Sequence, residues 1–339
     1  MRYKLLGKSG LRVSELALGT MTFGEEWGWG ASKEECRNIF YAFAQAGGNF
    51  VDTANRYTEG TAERFVGEFI ASDRDHFVVA TKYSLFTRRD DPNAAGNQRK
   101  NMVQSVEASL KRLKTDYVDI YWVHAWDFMT PVEEVMRGLD DLVRAGKVLY
   151  VGISDTPAWI VSRANMLADL RGWSPFVGLQ ARYSLLDRAA ERDLLPMARA
   201  LDLGVMAWGA LGTGILSGKY NKNLAENGRA GQWNSVTAAS LAVAEQVIQI
   251  ADEVGRSPSQ VALNWVRQQP DVVIPIIGSR KLAQVQDNLG CIEFSLTEAQ
   301  MKRLNEVSQI DLGFPHDFLA SDEVQDLISG GTFKKIDRH

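Results

Sequence analysis

The chain has 339 residues, 45% of them hydrophobic and 24% charged, with a formal net charge of -4. That length suits one α/β barrel or two ordinary domains, and the slight acidity gives no case for a nucleic-acid or membrane-surface partner. The two distant cysteines, Cys36 and Cys291, exclude a disulfide framework, leave no basis for a zinc cluster, and fit buried thiols in a reducing compartment.

The N-terminal stretch "MRYKLLGKSGLRVSELALGT" has no long apolar h-region, and no apolar run is long enough to span a bilayer. The chain therefore reads as soluble and cytoplasmic. Within that opening, "YKLLGKSGLRVSEL" alternates around a Gly-bearing turn, which predicts a β-hairpin. Short apolar runs bounded by turn residues then recur: "LALGT", "NFVDT", "FVVATK", "YVDIYWVH", "VLYVGIS", "FVGLQ", "GVMAWG" and "VVIPIIGS". Helical periodicity fills the gaps. In "SKEECRNIFYAFAQAGG", Ser32 stands at an N-cap position, Glu35 completes a capping box and Gly47 closes the helix. "RKNMVQSVEASLKRLKTD" puts Val103, Val106, Leu110 and Leu113 on one stripe. "TPVEEVMRGLDDLVRAGK" has Pro131 at its first turn and Gly146 at its end.

Strands alternating with helices imply parallel pairing through right-handed crossovers, and eight strands fit a closed (β/α)8 TIM barrel better than an open doubly wound sheet. The expected architecture is one α/β barrel domain over residues 1–339, with the hairpin capping its bottom and long loops on the catalytic face. Two segments exceed the simple unit: residues 221–235, and the tail of about 309–339 with Phe314, Phe318 and Leu319. Long irregular segments of this kind are lids or disordered.

The residues that close the strands converge on one mouth in such a barrel. They are "GTM" (Gly19, Thr20, Met21), Asp52, Lys82, His124, Ser154, Gln180, Trp208 with Gly209, and Gly278 with Ser279 and Arg280. Singly, each has an ordinary reading as a turn, a snorkelling lysine or a core histidine. Together with Tyr57 they suit carbonyl reduction. A phenol is a poor acid near neutrality, a neighbouring ammonium lowers its pKa, and a carboxylate holds that ammonium in place. Tyr57 is then the proton donor, Lys82 its tuner, Asp52 the anchor, and His124 an orienting donor.

On these motifs the sequence resembles the aldo-keto reductase superfamily. The match covers "GKSGLRVSELALGTMTFG", "FVDTANRYTEGTAE", "VATK", "SLKRLKTDYVDIYWVH", "RAGKVLYVGIS", "LQARYSLLDR", "GILSGKY" and "IIGSRKLAQVQDNLG". It is most similar to the bacterial branch that also resembles potassium-channel β subunits. The resemblance implies NADPH lying extended across the barrel mouth. Asp52 and the strand-one end Gly19, Thr20 and Met21 would border the cofactor. Ser154, Asp155 and Gln180 would hold the nicotinamide carboxamide, with Tyr183 or its neighbours stacked near the ring. Trp208, Ala210, Leu211, Gly214, Leu216 and Gly218 would line the pyrophosphate, with Lys219 nearby. Gly278, Ser279 and Arg280 would meet the 2′-phosphate, and Gln284, Asp287 and Asn288 the adenosine. Arg280 beside a hydroxyl and leading into a helix agrees with a phosphate site, which favours NADP over NAD. One departure is Asp155, where the family usually has Asn: a carboxylate accepts from the carboxamide but cannot donate to its oxygen.

The substrate pocket is expected from Trp27, Trp29, Tyr57, Phe86, His124, Trp126 and the tail phenylalanines, an aromatic lining suited to ring-shaped carbonyl compounds or sugars. "GTGILSGKY" is a residue short of a P-loop, no G-x-G-x-x-G follows a strand, and four scattered histidines suggest no metal site. Arg88 and Arg89 read as part of a solvated loop. The related branch includes monomers, dimers and larger rings, so a homo-oligomer stands among the expected partners beside the small-molecule substrate. A cofactor-sensing partner protein with little turnover, and an alcohol or sugar dehydrogenase using the same residues, are the alternatives to an NADPH-dependent reductase.

Overall fold

A computed structural model describes residues 1–223, 236–270 and 273–337. The hairpin forms first: β1 (Tyr3–Leu5) pairs antiparallel with β2 (Arg12–Ser14). Eight parallel strands follow and close a barrel. These are β3 (Ala17–Gly19), β4 (Phe50–Asp52), β5 (Val78–Tyr83), β6 (Val118–Val123), β7 (Val148–Ser154), β8 (Phe176–Arg182), β9 (Gly204–Trp208) and β10 (Val273–Gly278). The barrel closes where β10 pairs with β3. Each predicted apolar run thus contains one strand, and the expected (β/α)8 architecture is observed.

Two apolar layers result from the strand alternation. Residues on the outer faces, such as Val51, Val79, Tyr121, Val151 and Leu179, join the main core with the surrounding helices. Inward residues fill the barrel itself: Ala17, Phe50, Val78, Ala80, Ile120, Trp122, Val177, Met206 and Ile274. The hairpin adds Leu6 and Val13 to this inner cluster, so it plugs the barrel's lower end as expected. Gly7 sits at φ +54 against backbone: an added Cβ would lie 2.4 Å from the Val177 carbonyl. Trp122 occupies the barrel centre because its neighbours are glycines. A Cβ on Gly152 would come within 2.3 Å of its ring, and one on Gly178 within 2.9 Å.

The pairing of β7 with β8 is irregular. Val151 stands opposite Phe176, yet Gly152 stands opposite Gly178, so β8 carries an extra residue at this point.

Among the helices, Lys33–Gln45 starts at Ser32, whose hydroxyl accepts from the Glu35 amide. The expected capping box is only half made, because the Glu35 carboxylate instead accepts from the Leu282 amide at the start of helix Leu282–Leu289. A carboxylate at a helix N-terminus gains from the exposed amides there. The stripe on Arg99–Leu113 is buried through Met102, Val106, Leu110 and Leu113, with Val103 at its edge. Of the long segment 221–235, residues 224–235 lie outside the described residues. The tail forms two short helices, His316–Ala320 and Asp322–Ser329. Phe314 and Phe318 pack on each other but are 84% and 55% exposed, so they face solvent rather than the barrel mouth. No helix of the described residues is long and apolar enough to cross a membrane.

Candidate active site

Alternation places the polar strand ends. Asp52 lies two residues after Phe50, Lys82 two after Ala80, and His124 two after Trp122, so each continues an inward-facing row just above the apolar plug. Lys82 is wholly buried, and three acceptors surround its ammonium: Asp52 Oδ2 at 2.5 Å, the Thr53 carbonyl at 2.9 Å and Tyr57 Oη at 3.1 Å. The second Asp52 oxygen accepts from Gln180 Nε2 at 3.0 Å, from across the barrel. The His124 ring stands edge-on to Tyr57 with centroids 5.9 Å apart.

Tyr57 is held by a single turn, Tyr57–Gly60, in which Thr58 and Glu59 both adopt positive φ. Two such non-glycine residues in succession are strained, and the surroundings compensate. The Thr58 hydroxyl donates to the Phe23 carbonyl at 2.6 Å and accepts from the Ala62 amide at 3.1 Å, which fixes the turn to the loop after β3.

Burial is the largest influence on the Tyr57 phenol and raises its pKa, with Lys82 opposing. The expected lowering by the cation is therefore present but outweighed, and the group stays a protonated phenol. Burial alone would lower Lys82; Asp52 and Tyr57 reverse that and hold the ammonium above its ordinary value. Burial, then repulsion by Lys82, lowers His124 to about 3, so it is a neutral imidazole near neutrality. Its Nδ1 has no hydrogen-bond partner among the described residues.

A cavity of about 550 Å³ runs from Asp52, Tyr57 and His124 to Arg280, Gln284, Asp287 and Asn288. Of the residues singled out in the sequence, Gly19, Met21, Ser154, Asp155, Gln180, Trp208, Gly209, Ala210, Leu211, Gly214, Lys219 and Gly278 also line it. Thr22, Arg56, Leu85, Thr213, Ser217, Ser259, Leu263, Ile276 and Ile277 line it as well and were not anticipated. Thr213 and Ser217 come from an irregular turn, Gly212–Ser217, and Ser259 and Leu263 from helix Pro258–Arg267. Periodicity does not signal which turn or helix face will reach the mouth.

Other anticipated residues lie elsewhere. Thr20 is buried and donates to the Asp52 carbonyl. Tyr183 falls on the outward phase of its strand end, where its ring packs 5.3 Å from Trp265 and its hydroxyl donates to Glu191. Leu216 belongs to the main core. Gly218, at φ +77, packs under Ile248. Ser279 is buried and its carbonyl accepts from Thr22. Trp27 lines the cavity, whereas Trp29 packs against Trp27 from behind at 5.6 Å. Phe86 lies under the Arg56 guanidinium, and Trp126 packs on the core, its amide donating to the Asp155 carbonyl.

The cavity fits a nicotinamide dinucleotide. Ser154, in its lining, presents a buried hydroxyl with no partner among the described residues. A Cβ on Gly278 would meet only the Gly19 carbonyl, at 4.0 Å, so the wall is open there. Burial raises the Asp155 carboxyl, and Trp208 Nε1 donates to it at 3.2 Å. At the far end the first amide of helix Leu282–Leu289 is already taken by Glu35, which leaves the exposed Arg280 side chain as the charged group. No cluster among the described residues could hold a metal ion, and both cysteines are buried and unpaired.

A closed parallel barrel whose polar strand ends face a dinucleotide-sized cavity defines a barrel oxidoreductase. The chain belongs to the aldo/keto reductase family, whose model matches residues 15–309. It is 37% identical to norsolorinic acid reductase of Aspergillus flavus, over 98% of this chain and 87% of that protein. It is 39% identical to norsolorinic acid reductase B of Dothistroma septosporum, over 94% and 85% respectively. It is 38% identical to an aryl-alcohol dehydrogenase [NADP(+)] of Phanerodontia chrysosporium, over 91% and 86%. These relatives are fungal, and they lend no support to the bacterial, channel-subunit-like branch expected from the motifs.

Proposed function

We propose that the protein reduces an aromatic aldehyde or ketone to the alcohol at the expense of NADPH, with Tyr57 as general acid. The observation that carries this reading is the Lys82 ammonium, within hydrogen-bond distance of both Asp52 and Tyr57 in a buried setting. Ser154, Asp155 and Gln180 would hold the nicotinamide, and Arg280 the 2′-phosphate that distinguishes NADP from NAD. When bound, the cofactor supplies hydride to the carbonyl carbon.

The protein's own residues handle the oxygen. Tyr57 Oη gives its proton to that oxygen as negative charge develops there. The Lys82 ammonium stabilises the resulting phenolate, and Asp52 keeps the ammonium aimed at it. Neutral His124 donates a hydrogen bond to the oxygen and orients it. Trp27 and Leu85 supply an apolar wall for the ring. The dehydrogenase name of one relative favours a second reading, in which the same site runs towards oxidation and Tyr57 starts as the phenolate base.

The test is NADPH consumption by the purified protein against aromatic aldehydes, dicarbonyls, ketosteroids and sugars, with NADH in parallel. Tyr57→Phe is expected to lose about 100-fold or more in kcat while still binding NADPH. Equal turnover by Tyr57→Phe would refute the acid assignment. Binding of NADPH without consumption of it, or of NADP with any alcohol, would favour a sensing role.

A further inference from the structure

We infer that the substrate carries an anionic oxygen group, such as a carboxylate, on its ring, and that Arg56 recognises it. This rests on the reductase reading above and names its substrate class. Arg56 directly precedes Tyr57 and lines the carbonyl end of the cavity together with Trp27, Leu85 and His124. Its side chain is only 17% exposed. The guanidinium carbon lies 4.4 Å from the Phe86 ring centroid and 5.7 Å from that of Trp27, so two aromatic rings attract the cation.

The other cavity cations are committed or distant. Lys82 already faces three acceptors. Lys219 and Arg280 line the part of the cavity assigned to the dinucleotide. Arg56 has one carboxylate partner, Glu59, through Nη1. Glu59 is 54% exposed and also accepts from Trp27 Nε1 at 3.0 Å. A guanidinium has five N–H donors in a planar fork, so one carboxylate does not exhaust it. Arg89 stacks on the same Phe86 ring at 4.7 Å and adds positive charge beside it, while its neighbour Arg88 is paired with Asp91.

Three carboxylates line the cavity and would oppose an anion: Asp52, Asp155 and, at the far end, Asp287, which accepts from Ser257 and Gln260. Asp52 is matched by Lys82. Asp155 accepts from Trp208 and has Lys82 and Arg182 as its cationic neighbours. A flat ring bearing the anion can therefore lie against Trp27 with its charged group at Arg56 and its carbonyl at Tyr57.

The experiment compares 3- and 4-carboxybenzaldehyde with 4-methylbenzaldehyde, an uncharged ring of similar size, using NADPH. The expected result is a kcat/KM ratio favouring one carboxy isomer by roughly 10- to 100-fold, as charge-assisted hydrogen bonds supply. That ratio should collapse in Arg56→Gln and be partly kept in Arg56→Lys. In the wild-type protein benzoate should inhibit reduction of the neutral aldehyde more strongly than benzamide does, which requires no variant to fold. Turnover of the neutral aldehyde with no carboxylate preference, and equal inhibition by benzoate and benzamide, would overturn the inference while leaving the reductase reading intact. No turnover of any of these aldehydes would overturn the reductase reading and the inference with it.

Discussion

Replacing Lys82 with methionine tests the centre of the site. The side chain is fully buried and its ammonium meets Asp52, Thr53 and Tyr57, while Asp52 is itself only 2% exposed. Methionine has similar length and no charge, so it strands the Asp52 carboxylate with Gln180 Nε2 as its remaining side-chain donor. Breaking a buried ion pair from one side costs about 3–5 kcal/mol, mostly from the charge left behind. Replacing both partners removes that charge, so Asp52→Asn combined with Lys82→Met is expected to recover about half of the loss or more. Urea unfolding followed by tryptophan fluorescence measures both terms, provided that the slope is unchanged. A Lys82→Met cost below about 1 kcal/mol, or strict additivity of the two substitutions, would refute the view that Lys82 and Asp52 form one buried unit.

The pH dependence of stability follows from His124, which burial and then Lys82 lower from 6.5 to about 3. The unfolded chain takes up this proton near 6.5 and the folded chain does not, so stability present above that pH is lost as pH falls towards 3. His124→Gln should lose roughly 2–3 kcal/mol less than wild type between pH 7 and 4.5, read from urea midpoints at both pH values. Gly152→Ala pushes a methyl group to 2.3 Å from Trp122 and should destabilise by about 1–3 kcal/mol or more, seen as a lower Tm. Arg280→Leu should reduce the NADPH over NADH preference in kcat/KM by about 10-fold or more, with little change in the NADH value itself.

Much of the barrel was legible because each strand is a short apolar run that ends in a polar residue. The same runs exposed Asp52, Lys82, His124 and Gln180, since ordinary turn chemistry does not account for so many buried parallel strands finishing on a polar side chain at one level. Tyr183 misled because proximity along the chain is not orientation: it sits three residues beyond Gln180 and so faces the helices, where Trp265 receives it. Arg56 was overlooked because an arginine in a polar turn looks solvated. Only the fold brings Trp27 and Phe86 within reach of it. Likewise Ser279 and Arg280 were read as the start of a helix-borne phosphate site. Glu35, distant in sequence, occupies the first amide of that helix.

The extra residue in β8 has a consequence for the chemistry above it. Val177 and Gly178 both meet the barrel interior, which strict alternation forbids, and the irregularity shifts the phase of everything downstream. Without that shift Gln180 would point at the helices and Asp52 would lose its second partner. Strand phase here behaves as an odd-or-even count. Losing the extra residue would straighten β8 and keep Gln180 opposite Ser154, whereas losing Leu179 would turn the amide away from the carboxylate. Length changes that surface loops absorb freely therefore become all-or-nothing in this strand.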